Sequence, residues 1–218
     1  MFEAVIFDFD GVILNSEPIH YQACFQAFTT LGIKLDYAEY VEKYLGLADK
    51  EMFLKFLAER GLQYSDAERD ALIACKVRHY QNLIHLDDNL PMIDDVDHYI
   101  SHLSKTVRKI AICSGSTRKE ITTILTKLKQ GALQPYFDLM VTADDVRQGK
   151  PSPEGYLLTA KHLNVSPEKC LVIEDTPHGV AAAKAAGMYA VALLTTYQKH
   201  QFQHADKVID GFKQLMLV

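Results

Sequence analysis

The sequence predicts an α/β fold, in which a parallel β-sheet is covered by helices on both faces and a helical domain is inserted near the start of the chain. Three observations lead to this prediction. Residues 4–7 form a short apolar run, as in a strand that is buried on both faces. Residues 17–87 show helical periodicity throughout. From residue 92 onward, helical segments alternate with short apolar segments, which is typical of a parallel sheet.

The first predicted strand ends at two acids, Asp8 and Asp10, and Gly11 allows a sharp turn directly after them. Open α/β sheets bind ligands in the crevice beyond the carboxyl ends of their strands. Two carboxylates at that position suit a functional site better than a hydrophobic core.

A helical pattern begins after Ser16, where Glu17 and Pro18 suit the first turn of a helix. Further helices are predicted over 36–45, 49–60 and 65–85. The segment Asp-Asp-Asn-Leu-Pro that follows contains breakers and turn residues, and it ends the helical stretch. We therefore predict a helical domain over 17–87, inserted into an α/β core formed by 1–16 and 88–218.

The second half of the chain supplies the remaining elements of the predicted sheet. Helices are predicted at 94–104, 117–129, 153–163 and 178–186, with a short helix at the end of the chain. Strands are predicted at 109–113, 139–142, 170–173, 189–194 and 208–209.

Composition excludes several classes of function. The chain has 218 residues, a formal net charge of −5 and no long run of Lys or Arg, so a broad nucleic-acid surface is not expected. No segment approaches the roughly 20 apolar residues of a membrane span, and acids precede any long apolar run, so we expect neither a membrane protein nor a secretory signal. The four cysteines have no paired metal spacing. We expect a cytoplasmic monomer with reduced thiols.

Two further predicted strands and one loop end in polar residues of similar kinds. Ser114, Gly115 and Ser116 follow the strand at 109–113, and Glu174 and Asp175 follow the strand at 170–173. Between them, the segment Gly-Lys-Pro-Ser-Pro places Lys150 at the start of a helix. If the sheet is parallel, all these groups converge on one edge.

Such a collection of acids requires a cation. Asp8, Asp10, Glu174 and Asp175 cannot all stay ionised side by side, because each carboxylate raises the pKa of its neighbours. All four offer hard oxygen ligands, which favours Mg²⁺ over zinc. A hydroxyl, a backbone N–H at a helix start and Lys150 are what a phosphate group needs. Together these features indicate phosphoryl transfer through an aspartyl-phosphate.

Four motifs in this order, FDFDGV, ICSGS, GKPSPE and VIEDTPHGV, resemble those of the haloacid dehalogenase superfamily. The helical insertion after the first motif resembles the cap of its β-phosphoglucomutase and phosphoglycolate phosphatase branch. The resemblance spans nearly the whole chain. It implies a Rossmann-like sheet beneath a mobile cap that excludes water and selects the substrate.

The resemblance also implies roles for single residues. Asp8 would be the nucleophile and Asp10 the general acid and base. Ser114 and Lys150 would hold the phosphoryl group. Asp175 would bind Mg²⁺ together with Asp8 and the carbonyl of Asp10, with Glu174 as a close partner. The remaining candidates are implied for substrate binding: Gly115, Ser116, His20, Gly46 and Lys50.

Departures from the family pattern separate the possible activities. Asp10 argues against dehalogenation, because the dehalogenases lack the second aspartate. A mutase needs cationic side chains flanking a glycine in the cap, whereas here Leu45 precedes Gly46 and Asp49 precedes Lys50. The preferred prediction is therefore a Mg²⁺-dependent phosphatase of a small phosphomonoester, either a sugar phosphate or a phosphoglycolate-like acid. The alternatives are a phosphosugar mutase and a catalytically silent binding module. For His20, a place near the cleft and an ordinary helix position are equally open.

Overall fold

A computed structural model of the chain describes residues 1–45, 47 and 49–215. The chain forms two compact units, divided between Asn15 and Ser16 and again between Asp88 and Asn89. We call the one that contains both ends of the chain the α/β unit, and the one over Ser16–Asp88 the helical unit. Among the described residues, no helix combines the length and apolar character needed to cross a bilayer.

In the described part of the α/β unit, six strands form a parallel sheet with the order β3-β2-β1-β4-β5-β6. Its strands are β1 Ala4–Phe7, β2 Lys109–Cys113, β3 Leu139–Val141, β4 Cys170–Glu174, β5 Tyr189–Leu193 and β6 Lys207–Ile209. The first strand lies in the middle, so that Phe7 is in register with Ile112 of β2 and with Ile173 of β4. The predicted fold class is confirmed.

The described residues of the helical unit form four α-helices, α1 Glu17–Thr29, α2 Tyr37–Lys43, α3 Asp49–Glu59 and α4 Asp66–Leu86. Its core is rich in aromatic side chains, with Phe28 stacked on Phe56 at 3.9 Å between ring centroids. The start of α4 carries a capping box, in which the Ser65 hydroxyl and the Glu68 carboxylate each accept from the backbone N–H of the other residue.

Helices of the α/β unit cover both faces of its sheet, namely α5 Val96–Thr106, α6 Arg118–Lys127, α7 Glu154–Leu163 and α8 Pro177–Ala185. On one face, Ala4 and Ile6 pack in a core cluster with residues of α7 and α8. On the other face, the ring of Phe7 contacts Tyr99 of α5 and Phe212. Burial on both sides explains why the first strand is a continuous apolar run and does not alternate.

Two helices in the α/β unit differ from their predictions. The helix predicted over 117–129 ends at Lys127, because Lys129 and Gln130 both have positive φ values, which an α-helix does not allow. Of the short helix predicted at the end of the chain, the described residues form a 3₁₀ turn over Phe212–Gln214.

Candidate active site

Polar side chains gather at the carboxyl edge of the sheet because β1 lies between β2 and β4. Asp8 follows β1, and its backbone N–H donates to the carbonyl of Ile173 at 3.0 Å. Glu174 is the last residue of β4, and Asp175 follows it. Ser114 follows β2 and donates its backbone N–H to Val141 at 3.0 Å. The parallel register thus brings residues distant in sequence to one place.

Lys150 is the cation of this edge. Its Nζ donates to Asp8 Oδ1, to Glu174 Oε1 at 2.5 Å and to the carbonyl oxygen of Cys113 at 3.1 Å. Burial lowers the pKa of an ammonium group, but here the carboxylates of Asp8 and Glu174 outweigh it and hold the pKa of Lys150 well above its usual value. Lys150 therefore stays charged.

Glu174 is fully buried, and both of its carboxylate oxygens are hydrogen-bonded. Oε1 accepts from Lys150 and from the Tyr156 hydroxyl at 2.6 Å. Oε2 accepts from the hydroxyl of Thr176 at 3.1 Å and from the backbone N–H of Asp175 at 3.2 Å. Helix α8 approaches so closely that a Cβ on Gly179 would lie 1.9 Å from Oε1. The carboxylate of Glu174 is thus fixed on every side.

Asp175 differs from Glu174 because, among the described residues, a hydrogen-bond donor is present for one of its two carboxylate oxygens. Oδ2 accepts from the Thr196 hydroxyl at 2.5 Å. Oδ1 is buried and has no hydrogen-bond partner in the part of the chain that the structure describes. A buried polar atom without a partner is costly and points to a ligand.

Asp8, Glu174 and Asp175 each offer a carboxylate oxygen to a group whose oxygens all lie within 4.8 Å of one another. Burial and the charge of Glu174 raise the pKa of Asp8 to about 8, although Lys150 opposes the shift. Burial, Asp8 and Glu174 raise the pKa of Asp175 well above its usual value. One lysine does not compensate three acids, and three hard oxygen donors fit a divalent cation such as Mg²⁺.

The turn after β1 requires glycine at position 11. Gly11 has φ +71°, and a Cβ there would lie 2.0 Å from Asp175 Oδ2 and 2.9 Å from the Thr196 hydroxyl. The carbonyl of Gly11 accepts from the Thr195 hydroxyl at 2.6 Å. Two features therefore require glycine at position 11. The turn has a positive φ, as the sequence predicted for a sharp turn, and the Asp175 carboxylate lies where a Cβ would be.

Asp10 lies on the other side of this turn and is directed toward the β2 loop. Its Oδ2 accepts from the Ser116 hydroxyl at 2.7 Å, and the Ser114 hydroxyl accepts from the Ser116 backbone N–H at 3.0 Å. Ser114 is buried, whereas Gly115 is exposed. Among the described residues, the grouped carboxylate oxygens are those of Asp8, Glu174 and Asp175, and the Asp10 side chain lies outside that group.

The candidates in the helical unit have different surroundings. His20 lies on α1 with Nδ1 at 2.9 Å from the Nζ of Lys76, and its ring stacks on Tyr80 at 4.4 Å. Burial and the lysine charge lower the pKa of His20 to about 3, so the imidazole is neutral. Lys50 is exposed in the first turn of α3. Gly46 lies outside the described residues.

Sequence reasoning missed Lys76, whose Nζ donates to Asp49 Oδ1 at 2.7 Å and which is only 3% exposed. Its position in the buried series Leu72, Lys76, Tyr80 and Ile84, spaced by four residues, was the available signal. Sequence reasoning also missed Thr196, although it follows the carboxyl end of β5 just as the other site residues follow their strands.

Comparison with known proteins agrees with this geometry. The family model described as haloacid dehalogenase-like hydrolase matches residues 5–193. A validoxylamine A 7′-phosphate phosphatase of Streptomyces hygroscopicus subsp. limoneus is 31% identical, over 99% of this chain and 96% of its own length. A fructose-1-phosphate phosphatase of Escherichia coli is 32% identical, over 87% of this chain and 95% of its own length.

The fold also matches that of a solved structure, a β-phosphoglucomutase. The crystal structure of β-phosphoglucomutase from Clostridium difficile superposes with a TM-score of 0.72 at 28% identity, covering 99% of this chain and 93% of the other. The motifs that suggested the resemblance lie within the matched region, and their residues stand at the carboxyl edge of the sheet. The chain therefore belongs to the haloacid dehalogenase-like hydrolase family.

Proposed function

We propose that this chain is a Mg²⁺-dependent phosphatase that hydrolyses a small phosphomonoester, preferably a sugar phosphate, through an aspartyl-phosphate on Asp8. One observation carries the proposal: Asp8, Lys150, Glu174 and Asp175 meet at one edge of the sheet, and a buried oxygen of Asp175 has no partner among the described residues. One relative at 31% identity is named as a validoxylamine A 7′-phosphate phosphatase and another at 32% as a fructose-1-phosphate phosphatase; the second supports a sugar phosphate as the substrate.

The donor set fits Mg²⁺. Asp8 and Asp175 would hold the ion, and Glu174 would hold Lys150 beside it. When bound, Mg²⁺ would neutralise the charge of the phosphate and make its phosphorus more electrophilic. All donors in the group are carboxylate oxygens, without His or Cys, which is the chemistry that Mg²⁺ prefers over zinc.

The protein groups divide the reaction between them. Asp8 attacks the phosphorus, and the bond from phosphorus to the ester oxygen breaks as the new P–O bond forms. Asp10 gives its proton to the leaving ester oxygen. Water then attacks the phosphorus of the aspartyl-phosphate and gives a proton to Asp10, while the bond from phosphorus to Asp8 breaks, which restores the Asp8 carboxylate and releases inorganic phosphate. The Ser116 hydroxyl on Asp10 Oδ2 fixes the direction of that carboxyl group. Lys150, the Ser114 hydroxyl and the Gly115 N–H would hold phosphoryl oxygens.

Hydrolysis is preferred over transfer within a sugar phosphate because of the charges in the helical unit. A mutase must bind a second phosphate, which needs uncompensated cations. Lys76, a buried cation of this unit, is paired with Asp49 at 2.7 Å. The acid at position 49 therefore reduces the positive charge that a second phosphate would meet.

The proposal is tested with a panel of phosphomonoesters that includes hexose phosphates and phosphoglycolate. Released phosphate is measured with Mg²⁺ and with EDTA. We expect hydrolysis that depends on Mg²⁺, and we expect Asp8→Asn to lower kcat by at least about 10³-fold because the nucleophile is lost. Asp94→Asn changes an exposed acid of the same unit and serves as the matched control.

Each competing activity has its own signature in this assay. Conversion of a hexose 1-phosphate to its isomer in the presence of a trace of bisphosphate, without free phosphate, would establish a mutase. Inactivity of the wild type on the whole panel with Mg²⁺ would indicate a binding module. Retention of most of the rate by Asp8→Asn would refute the role of Asp8.

A further inference from the structure

Two adjacent threonines after β5 fasten the loops that carry the acids. The Thr195 hydroxyl donates to the carbonyl of Gly11 at 2.6 Å, in the turn after β1. The Thr196 hydroxyl donates to Asp175 Oδ2 at 2.5 Å, in the turn after β4. A third loop of the sheet thus holds the two turns on which Asp8, Asp10 and Asp175 depend.

The Thr196 bond determines which oxygen of Asp175 is left available. A carboxylate that rotates freely presents either oxygen, whereas here Oδ2 is held by a hydroxyl and is closely approached by the backbone of Gly11. Oδ1 consequently stays buried without a partner in the described part of the chain. Groups that hydrogen-bond to metal ligands in this way orient them, and their loss lowers metal affinity.

We propose that Thr196 is a positioning residue that presents Asp175 Oδ1 to the divalent cation. This inference rests on the proposed function, because it assumes that the acids bind a metal. Thr195 supports the same arrangement by fixing the loop to Gly11. The role needs the hydroxyl of Thr196 and not its methyl group, so serine should replace it and valine should not.

A purely structural role makes a different prediction. If the hydrogen bond from the Thr196 hydroxyl to Asp175 only stabilised the folded state, its removal would lower the free energy of unfolding. The metal affinity of the folded protein would stay unchanged. The two roles are therefore separated by metal binding, measured in the absence of substrate and independently of activity.

The experiment measures Mn²⁺ binding to the full chain by the electron paramagnetic resonance signal of the free ion. We expect Thr196→Val to raise the Kd for Mn²⁺ by about tenfold or more, and Thr196→Ser to stay within about twofold of wild type. Thr123→Val is the control, because the Thr123 hydroxyl donates to the carbonyl of Lys119 within α6. If Thr196→Val does not fold, Thr196→Ala is used in its place.

A second measurement follows the Mg²⁺ concentration that gives half-maximal phosphatase activity. It should rise for Thr196→Val, while the rate at saturating Mg²⁺ recovers most of the wild-type value. Equal Mn²⁺ affinity of wild type and Thr196→Val would overturn the role of Thr196 and leave the metal site intact. Absence of Mn²⁺ binding by the wild type would overturn the metal site itself, and with it this inference.

Discussion

Glu174 illustrates how a fully buried carboxylate is kept in a hydrophobic sheet. A buried charge is costly unless it is paired and hydrogen-bonded. Here Lys150 supplies the charge and the Tyr156 hydroxyl supplies a second bond to the same oxygen at 2.6 Å. Tyr156 is itself fully buried, and burial together with the charge of Glu174 raises its pKa well above the usual value, so the hydroxyl stays protonated and donates.

Tyr156→Phe should therefore destabilise the protein without changing the packing of the ring. Loss of a hydrogen bond to a charged acceptor costs about 1.5–3 kcal/mol. We expect a decrease of that size in the free energy of unfolding, measured by urea denaturation.

Tyr189→Phe is the control for this substitution. The ring of Tyr189 packs against Phe2 at 5.1 Å, and that contact is retained in the variant. A change of less than about 0.5 kcal/mol is expected there. Equal stability of Tyr156→Phe and wild type would mean that Lys150 is sufficient to satisfy Oε1 of Glu174.

At the scale of elements, the strands of the sheet could be predicted from the sequence, and polar residues follow the ends of three of them. The apolar runs at 4–7, 109–113 and 170–173 could be identified by hydrophobicity, and the polar residues that follow them lie together once the sheet is parallel. The proximity of Asp8, Lys150, Glu174 and Asp175 is a consequence of topology, which the alternation of helices and strands already indicates.

Contacts between loops could not be predicted in the same way. The Ser116 bond to Asp10 and the Thr196 bond to Asp175 join residues that are 106 and 21 positions apart. They depend on loop conformations and side-chain rotamers, which no periodicity in the sequence encodes. The same holds for Lys76, because a lysine on a helix is ordinarily exposed, and its burial depends on contacts with the Asp49 carboxylate, the neutral His20 and the Tyr80 ring, whose centroid lies 5.6 Å from Nζ.

The pair of helices α3 and α4 yields a prediction about this buried lysine. Lys76 is nearly inaccessible, whereas the Asp49 side chain is 33% exposed. Removing the acid leaves a buried ammonium group beside a neutral imidazole and the Tyr80 ring, without its carboxylate partner, while removing the lysine leaves an acid that water can reach. We expect Asp49→Asn to lower the free energy of unfolding by about 1–3 kcal/mol, and Lys76→Met to change it by less than about 1 kcal/mol.

Urea denaturation of both variants checks this asymmetry. Lys50→Met is the control, because Lys50 is exposed on the same helix as Asp49 and should change the stability by less than about 0.5 kcal/mol. A greater loss for Lys76→Met than for Asp49→Asn would contradict the argument, because it would show that the ammonium group contributes more than its burial costs.

For the whole molecule, the candidate site exists only in the folded chain. Its residues range from Asp8 to Thr196, and the α/β unit itself is assembled from two separate segments of the chain. In the unfolded chain Asp8 is far from Glu174 and Asp175, so it repels them little. Folding therefore brings the negative charges together, and a bound cation would reduce the repulsion between them.

Mg²⁺ should consequently raise the thermal stability of the wild type. A ligand that binds only the folded state stabilises it by about 2.7 kcal/mol at a concentration of 100 times its Kd. We expect a higher Tm with Mg²⁺ than with EDTA, at an ionic strength matched with NaCl so that general screening is equal.

Asp175→Asn should abolish most of this increase, because it removes a charged oxygen ligand. Without Mg²⁺ its Tm should equal or exceed that of the wild type, since one repulsive charge is gone. Asp94→Asn should keep the full increase, because Asp94 is an exposed acid of the same unit that lies outside the acid cluster. An equal Mg²⁺ effect on Asp175→Asn and wild type would show that the ion acts elsewhere on the surface.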